Sequence, residues 1–154
     1  MNFNPALVTV EHPLELREEA STEILGLKEA SARAEGTIRV ELTVQRDDEE
    51  KILVTGWAQT SLSLVCGRCT SWLPWPVRAR VDHLFEGPQP NCIDLTPLIR
   101  EDILLELPLN AACRLGADGR CPVTGEVYKP RPETSGSLAG EAVWEALSKI
   151  KTKD

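Results

Sequence analysis

Along Thr37-Ile38-Arg39-Val40-Glu41-Leu42-Thr43-Val44-Gln45 every second side chain is aliphatic, which puts Ile38, Val40, Leu42 and Val44 on one face of a half-buried strand. The acidic run Asp47-Asp48-Glu49-Glu50 then returns the chain into Ile52-Leu53-Val54-Thr55-Gly56-Trp57, so the pattern predicts a hairpin. Leu62 and Leu64 carry the alternation to Cys66, and Val77, Ala79 and Val81 resume it beyond Cys69. The first cysteine pair therefore falls in the turn between two antiparallel strands. Trp57, Trp72 and Trp75 gather around this sheet; such rings can stack on bases, but core or edge packing is the expectation for at least two of them.

Helical spacing is confined to two places. Thr96 is placed to cap, Pro97 suits the first helical position, and Leu98, Ile99, Asp102, Ile103, Leu105 and Glu106 follow helical spacing until Pro108 stops it. Residues 141–151 put Val143, Trp144, Leu147 and Ile150 on one stripe of an amphipathic helix. The fold class expected is α+β, mainly an antiparallel β-sheet or partly open barrel with a mid-chain helix and a C-terminal amphipathic helix. Residues 1–35 read as a partly irregular N-terminal arm, acid-rich from 11 to 23 and equally compatible with a short helix. Residues 36–128 form the β-rich, cysteine-containing part, 129–139 a Pro- and Ser-rich linker and 140–154 the terminal helix, within one domain overall.

Four of the five cysteines form two separated groups, Cys66-Gly67-Arg68-Cys69 and Cys113…Cys121. Two thiolates two residues apart can hold one zinc through a tight turn, and a distant pair can complete a closed tetrahedral shell. Gly67 suits that turn through a left-handed backbone, and Arg68 through its charge beside the thiolates. The second pair is more widely spaced than is usual. Reduced thiols packed as small apolar residues, or a disulfide within either pair in an oxidising compartment, are the other readings. A redox dithiol is disfavoured, because Trp72-Leu73-Pro74-Trp75-Pro76 cannot start the helix that lowers such a thiol's pKa. His83 is a possible substitute ligand, more simply a packed or surface histidine, and Cys92 reads as a buried small residue.

The chain has 154 residues, 42% apolar and 27% charged, enough for one core. No apolar run approaches the roughly 18 residues that span a bilayer, and Met1-Asn2-Phe3-Asn4-Pro5 lacks a signal peptide's basic start, so the cytoplasm is expected and no membrane partner. A net charge of −7 argues against a general nucleic-acid binder. The basic residues are uneven, however: Arg68, Arg78 and Arg80 beside the first pair, and Arg114 and Arg120 beside the second, are candidate phosphate or partner contacts, or else solvated charges that balance the thiolates. Catalytic motifs are absent. There is no His-Glu-x-x-His, Gly-x-Ser-x-Gly or phosphate-binding Gly-rich loop, which points away from an enzyme and from a small-molecule substrate.

A strand pair leading to Leu64-Val65-Cys66-Gly67-Arg68-Cys69, then the run from Ile93-Asp94-Leu95-Thr96-Pro97 to Leu107-Pro108, then Cys113…Cys121-Pro122, resembles the YceD family, the large ribosomal RNA subunit accumulation proteins. The resemblance covers residues 36 to the terminal helix. It implies a non-enzymatic role in the accumulation of large-subunit (23S) ribosomal RNA, acting on the RNA precursor or on a basic ribosomal or assembly protein. The competing class is a zinc-stabilised protein-interaction module with no RNA role. Many relatives have a denser second group ending in a Cys-Pro-x-Cys-Gly-like run. Here Cys121-Pro122-Val123-Thr124-Gly125 has Thr124 where a further cysteine would stand, so the comparison leaves Cys66, Cys69, Cys113 and Cys121 as ligands for a structural zinc. Such a metal supplies on the order of 10 kcal/mol of apparent folding energy.

Overall fold

The alternating positions become long antiparallel strands in the computed structural model, which describes residues 1–27, 31–47 and 51–128. In chain order the elements are β1 (Asn2–Phe3), β2 (Leu14–Ser21), β3 (Ala32–Arg46), β4 (Ile52–Val65), β5 (Trp72–Phe85), β6 (Ile93–Asp94) and the helix α1 (Thr96–Leu105). β2, β3, β4 and β5 form a four-stranded antiparallel meander in that order, and β1 pairs with β6 in a separate two-stranded ribbon. The sheet is open, with β2 and β5 as its edges, and not closed into a barrel. The chain divides into two compact units, Met1–Cys113 and Arg114–Asp154. The expected linker and the expected C-terminal helix lie outside the described residues.

The core occupies one face of the meander. Ile38, Val40, Leu42 and Val44 of β3 are all buried, as their spacing predicts, and so are Ile52, Val54, Ala58, Leu62 and Leu64 of β4 and Leu73, Val77, Ala79 and Val81 of β5. Burying each of the larger aliphatic side chains is worth roughly 1.5–3 kcal/mol, so this single face supplies most of the drive to fold. Across it lies α1, whose Ile99 and Ile103 are both fully buried in the same core. The helix is pinned by a 2.8 Å bond between His83 Nε2 and Asp102 Oδ2, by Arg100 Nε donating to Leu25 O at 3.2 Å and by the Met1 amine donating to Thr96 Oγ1 at 2.9 Å.

Two glycines permit the sheet to take this shape. The register between β3 and β4 slips between Glu35 and Arg39, and Gly36 lies there with φ 88°. Gly56 (φ 149°) faces Leu42 of β3 so closely that a Cβ would stand 2.1 Å from Glu41 O. Pro74 and Pro76 are tolerated inside β5 because it is an edge strand, with only one neighbour to satisfy.

Several local expectations are corrected. The acid-rich N-terminal segment is neither a helix nor an irregular arm between 14 and 21. It is β2, paired residue for residue with β3 from Leu14 opposite Val44 to Ser21 opposite Thr37, and its strand pairing overrides its low β propensity. Arg46 anchors the residues before it by donating to Val8 O at 2.9 Å and Pro5 O at 2.7 Å. At the start of α1 Thr96 makes no side-chain cap; Asp94 Oδ1 accepts from Thr96 N at 2.9 Å, and hydrogen bonds from Thr96 hold the Asp94 carboxyl below its ordinary pKa. Cys92 is exposed, because it precedes β6 in the loop and not in the core. Among the described residues no helix is long and apolar enough to cross a membrane.

Candidate metal centre

Cys66 continues the inward phase of β4. The sequence Ile52, Val54, Ala58, Leu62, Leu64 keeps one face buried, and two residues on from Leu64 the same phase delivers the Cys66 side chain to that face, fully buried. The chain then reverses in a turn closed by two backbone bonds: Cys66 N donates to Ser71 O at 2.9 Å, and Thr70 N to Cys66 O at 2.9 Å. The left-handed residue of this turn is Thr70 (φ 58°), not Gly67 as its sequence suggested. Gly67 serves instead as a close-approach point, its N–H donating to Ala111 O at 2.8 Å.

That bond and two others bring in a cysteine 47 positions away. Cys113 N donates to Cys66 Sγ at 3.3 Å, and Arg68 Nη1 to Cys113 O at 3.2 Å. As a result Cys66, Cys69 and Cys113 lie with their sulfur atoms within 4.8 Å of one another, a cluster that can hold a metal ion. Ligands at the usual zinc–sulfur distance of about 2.3 Å stand roughly 3.8 Å apart in a tetrahedron, so only a small contraction is needed to fit an ion. Burial raises the pKa of the Cys66 thiol, but it is outweighed by the N–H groups of Cys69, Cys113 and Arg68 and by the Cys69 thiol, all bonded to the same sulfur. The result is a fall from the ordinary 9.0 to about 6. A thiolate held by backbone N–H groups is the form a metal binds. None of the five cysteines forms a disulfide.

Cys121 belongs to the second unit, where it is buried in a turn of the same construction. Cys121 N donates to Glu126 O at 2.8 Å, Gly125 N to Cys121 O at 2.9 Å, and Gly125 is left-handed with φ 72°. Position by position, Cys121 stands where Cys66 stands, Thr124 where Cys69 stands and Gly125 where Thr70 stands. Sequence spacing alone hid this equivalence, because the second turn lacks the second cysteine that marks the first. The Cys-Pro and Gly of 121–125 were its only visible signs.

The arginines marked by the sequence are distributed over several surroundings. Arg68 ties the first turn to Cys113, and it is its backbone N–H, at 3.4 Å, rather than its guanidinium that faces the Cys66 sulfur. Arg78 lies over the Trp57 ring at 4.2 Å, and Arg80 bonds Asp82 at 2.9 Å, both on the outward side of β5. Arg120 donates to Gly125 O at 3.0 Å and pairs with Asp118 at 3.4 Å, and Arg114 is exposed in the second unit. His83 is taken up by Asp102 and is not a member of the thiol cluster. Compared with protein-family models, with curated proteins and with solved structures, the chain shows no significant match in any of the three.

Proposed function

We propose that this chain is a non-enzymatic cytoplasmic factor required for the accumulation of large-subunit 23S ribosomal RNA, stabilised by one structural zinc. Its partner is the RNA precursor or a basic ribosomal or assembly protein, and Arg68, Arg78, Arg80, Arg114 and Arg120 are the contact candidates. The observation that carries the reading is that the first cysteine pair and Cys113, which are separate parts of the YceD resemblance, meet in space. The Cys66–Cys69 turn is bonded to Ala111 and Cys113, just past the helix that ends before Leu107-Pro108.

Zinc suits the donors, since an all-thiolate set favours a borderline-soft ion without geometric demands of its own. In this reading Cys66, Cys69 and Cys113 are three ligands, and Cys121 is the fourth by the YceD resemblance. When bound, the ion acts as a clamp in place of a larger core.

The test is depletion of the protein in cells, with the ratio of large- to small-subunit ribosomal RNA measured and precursor ends mapped. A selective fall in the large-subunit species is expected, and an unchanged ratio overturns the reading. A zinc-stabilised protein-interaction module without an RNA role is the second reading, and one feature favours it. Leu105 and Leu109 are 76% and 102% exposed beside a groove lined by Leu25, Leu27, Leu64, Leu104 and Leu107.

A further inference from the structure

We propose that the solvent-facing side of strands β3, β4 and β5 is a stacking platform for single-stranded RNA. This rests on the ribosomal-RNA reading for the identity of the RNA, and on the geometry of the sheet alone for the binding itself.

The face opposite the core carries two arginine–tryptophan stacks. The guanidinium of Arg33 on β3 lies 4.1 Å from the centroid of Trp72 on β5, and that of Arg78 on β5 lies 4.2 Å from the centroid of Trp57 on β4. Both tryptophans are in the outward phase: Trp57 is flanked by inward Gly56 and Ala58 and is 39% exposed, and Trp72 precedes buried Leu73. Core packing therefore claims only Trp75 of the three. A guanidinium held over an indole offers one surface with two properties, a face on which a base can stack and a cation for the adjoining phosphate.

The two stacks are spaced for an extended strand. Trp72 is opposite Val65, eight residues along β4 from Trp57, and Arg33 is opposite Ser63, four residues from Gln59 opposite Arg78, so the two stacks are separated by roughly 13 to 26 Å of sheet. That length accommodates several nucleotides. Between them the sheet holds a shallow depression of about 640 Å³ lined by Arg39, Gln59, Ser61 and Arg78 among others, with no carboxylate among its described lining residues. In register, Arg39, Gln59 and Arg78 form one row across the three strands, and the amide and hydroxyls beside it can bond base edges and sugars. Among the residues of these strands whose side chains are described, the acids of this face are at or near its Trp57 end, where Glu41 is opposite Trp57 and Asp82 is bonded to Arg80; Glu35 is paired with Ser61 in the stretch between the stacks. Arg39 is shared with Glu19 of β2 at 3.2 Å, leaving Arg33 and Arg78 as the cations oriented by rings. A protein partner would ask for exposed aliphatic surface, which this side does not concentrate; a duplex would present its bases already stacked on one another.

The test uses the full chain and a fluorescently labelled mixed-sequence oligoribonucleotide, single-stranded or annealed to its complement, with anisotropy read over a range of salt. The single strand is expected to bind in preference to the duplex. Trp57→Ala and Trp72→Ala should each weaken it about tenfold, while Trp57→Phe and Trp72→Phe restore most of the affinity. Arg33→Gln and Arg78→Gln should flatten the salt dependence. Circular dichroism and a thermal melt accompany each variant, so that the phenylalanine forms report on the surface if an alanine form fails to fold. Equal affinity for the duplex, no binding at low salt, indifference to both tryptophans, or selection of a Lys- and Arg-rich peptide in place of RNA would each overturn the proposal. Binding that follows these expectations in a protein whose depletion leaves ribosomal RNA unaltered would overturn the ribosomal reading instead.

Discussion

Residues 66–71 and 121–126 fold into turns with the same pair of backbone bonds and different side chains. In each, the first cysteine N–H donates five residues ahead, its carbonyl accepts from four residues ahead, and the fourth residue on is left-handed. The first turn presents two thiols and has a β-branched Thr70 at its strained position; the second presents one thiol, with Thr124 in the other place, and has Gly125 where the strain would fall. The frame is therefore independent of how many thiols it displays. The turn with the denser ligand set is also the one that tolerates the unfavourable residue, which is sensible only where surrounding contacts over-determine the conformation. Those contacts are Gly67 to Ala111, Cys113 to Cys66 and Arg68 to Cys113.

The largest effect is expected from the first turn. Cys66→Ser removes the sulfur on which the other donors converge and, if the proposed zinc site is correct, a metal worth on the order of 10 kcal/mol, so the cooperative melt should disappear and metal content fall. Stripping the parent protein with a chelator should give the same calorimetric trace. If Cys66→Ser melts like the parent with its metal content intact, the first turn is no metal site and the comparison collapses.

Cys121→Ser should have an intermediate effect. If Cys121 is the fourth ligand of the proposed site, the three thiols of Met1–Cys113 remain, so metal should stay bound with reduced affinity, and the cobalt-substituted protein should show weaker thiolate-to-metal absorption. A spectrum identical to the parent's would reduce the resemblance of the two turns to architecture alone.

Exchanging the left-handed residues sharpens the contrast with opposite signs. Gly125→Thr should cost about 1–2 kcal/mol in a denaturant titration, because no neighbouring atom obstructs a Cβ there and the backbone penalty stands alone. Thr70→Gly should stabilise by about 0.5 kcal/mol, the released strain being partly offset by the greater freedom of glycine in the unfolded chain and by loss of the 2.7 Å bond from Thr70 Oγ1 to Cys69 O. Destabilisation by Thr70→Gly would show that the threonine is required by the thiol cluster.

The amino-acid sequence by itself determined the strands β3, β4 and β5 with their buried faces, the turn position of Cys66 and Cys69, and the helix stopped near Pro108. The reason is local: side-chain alternation follows from the pleat, and proline and left-handed positions from steric exclusion within a few residues. It obscured β2, whose glutamates hide a strand that exists because β3 offers it a paired edge, and it misplaced the left-handed residue of the first turn. Only the tertiary structure decided that Cys113 approaches Cys66 across 47 positions, and that Arg33 lies over Trp72 and Arg78 over Trp57. Cys113 is brought in by backbone bonds from beyond the helix, whereas both stacks depend on strand register, and that of Arg33 also on the slip between Glu35 and Arg39; register is settled by the whole buried face at once.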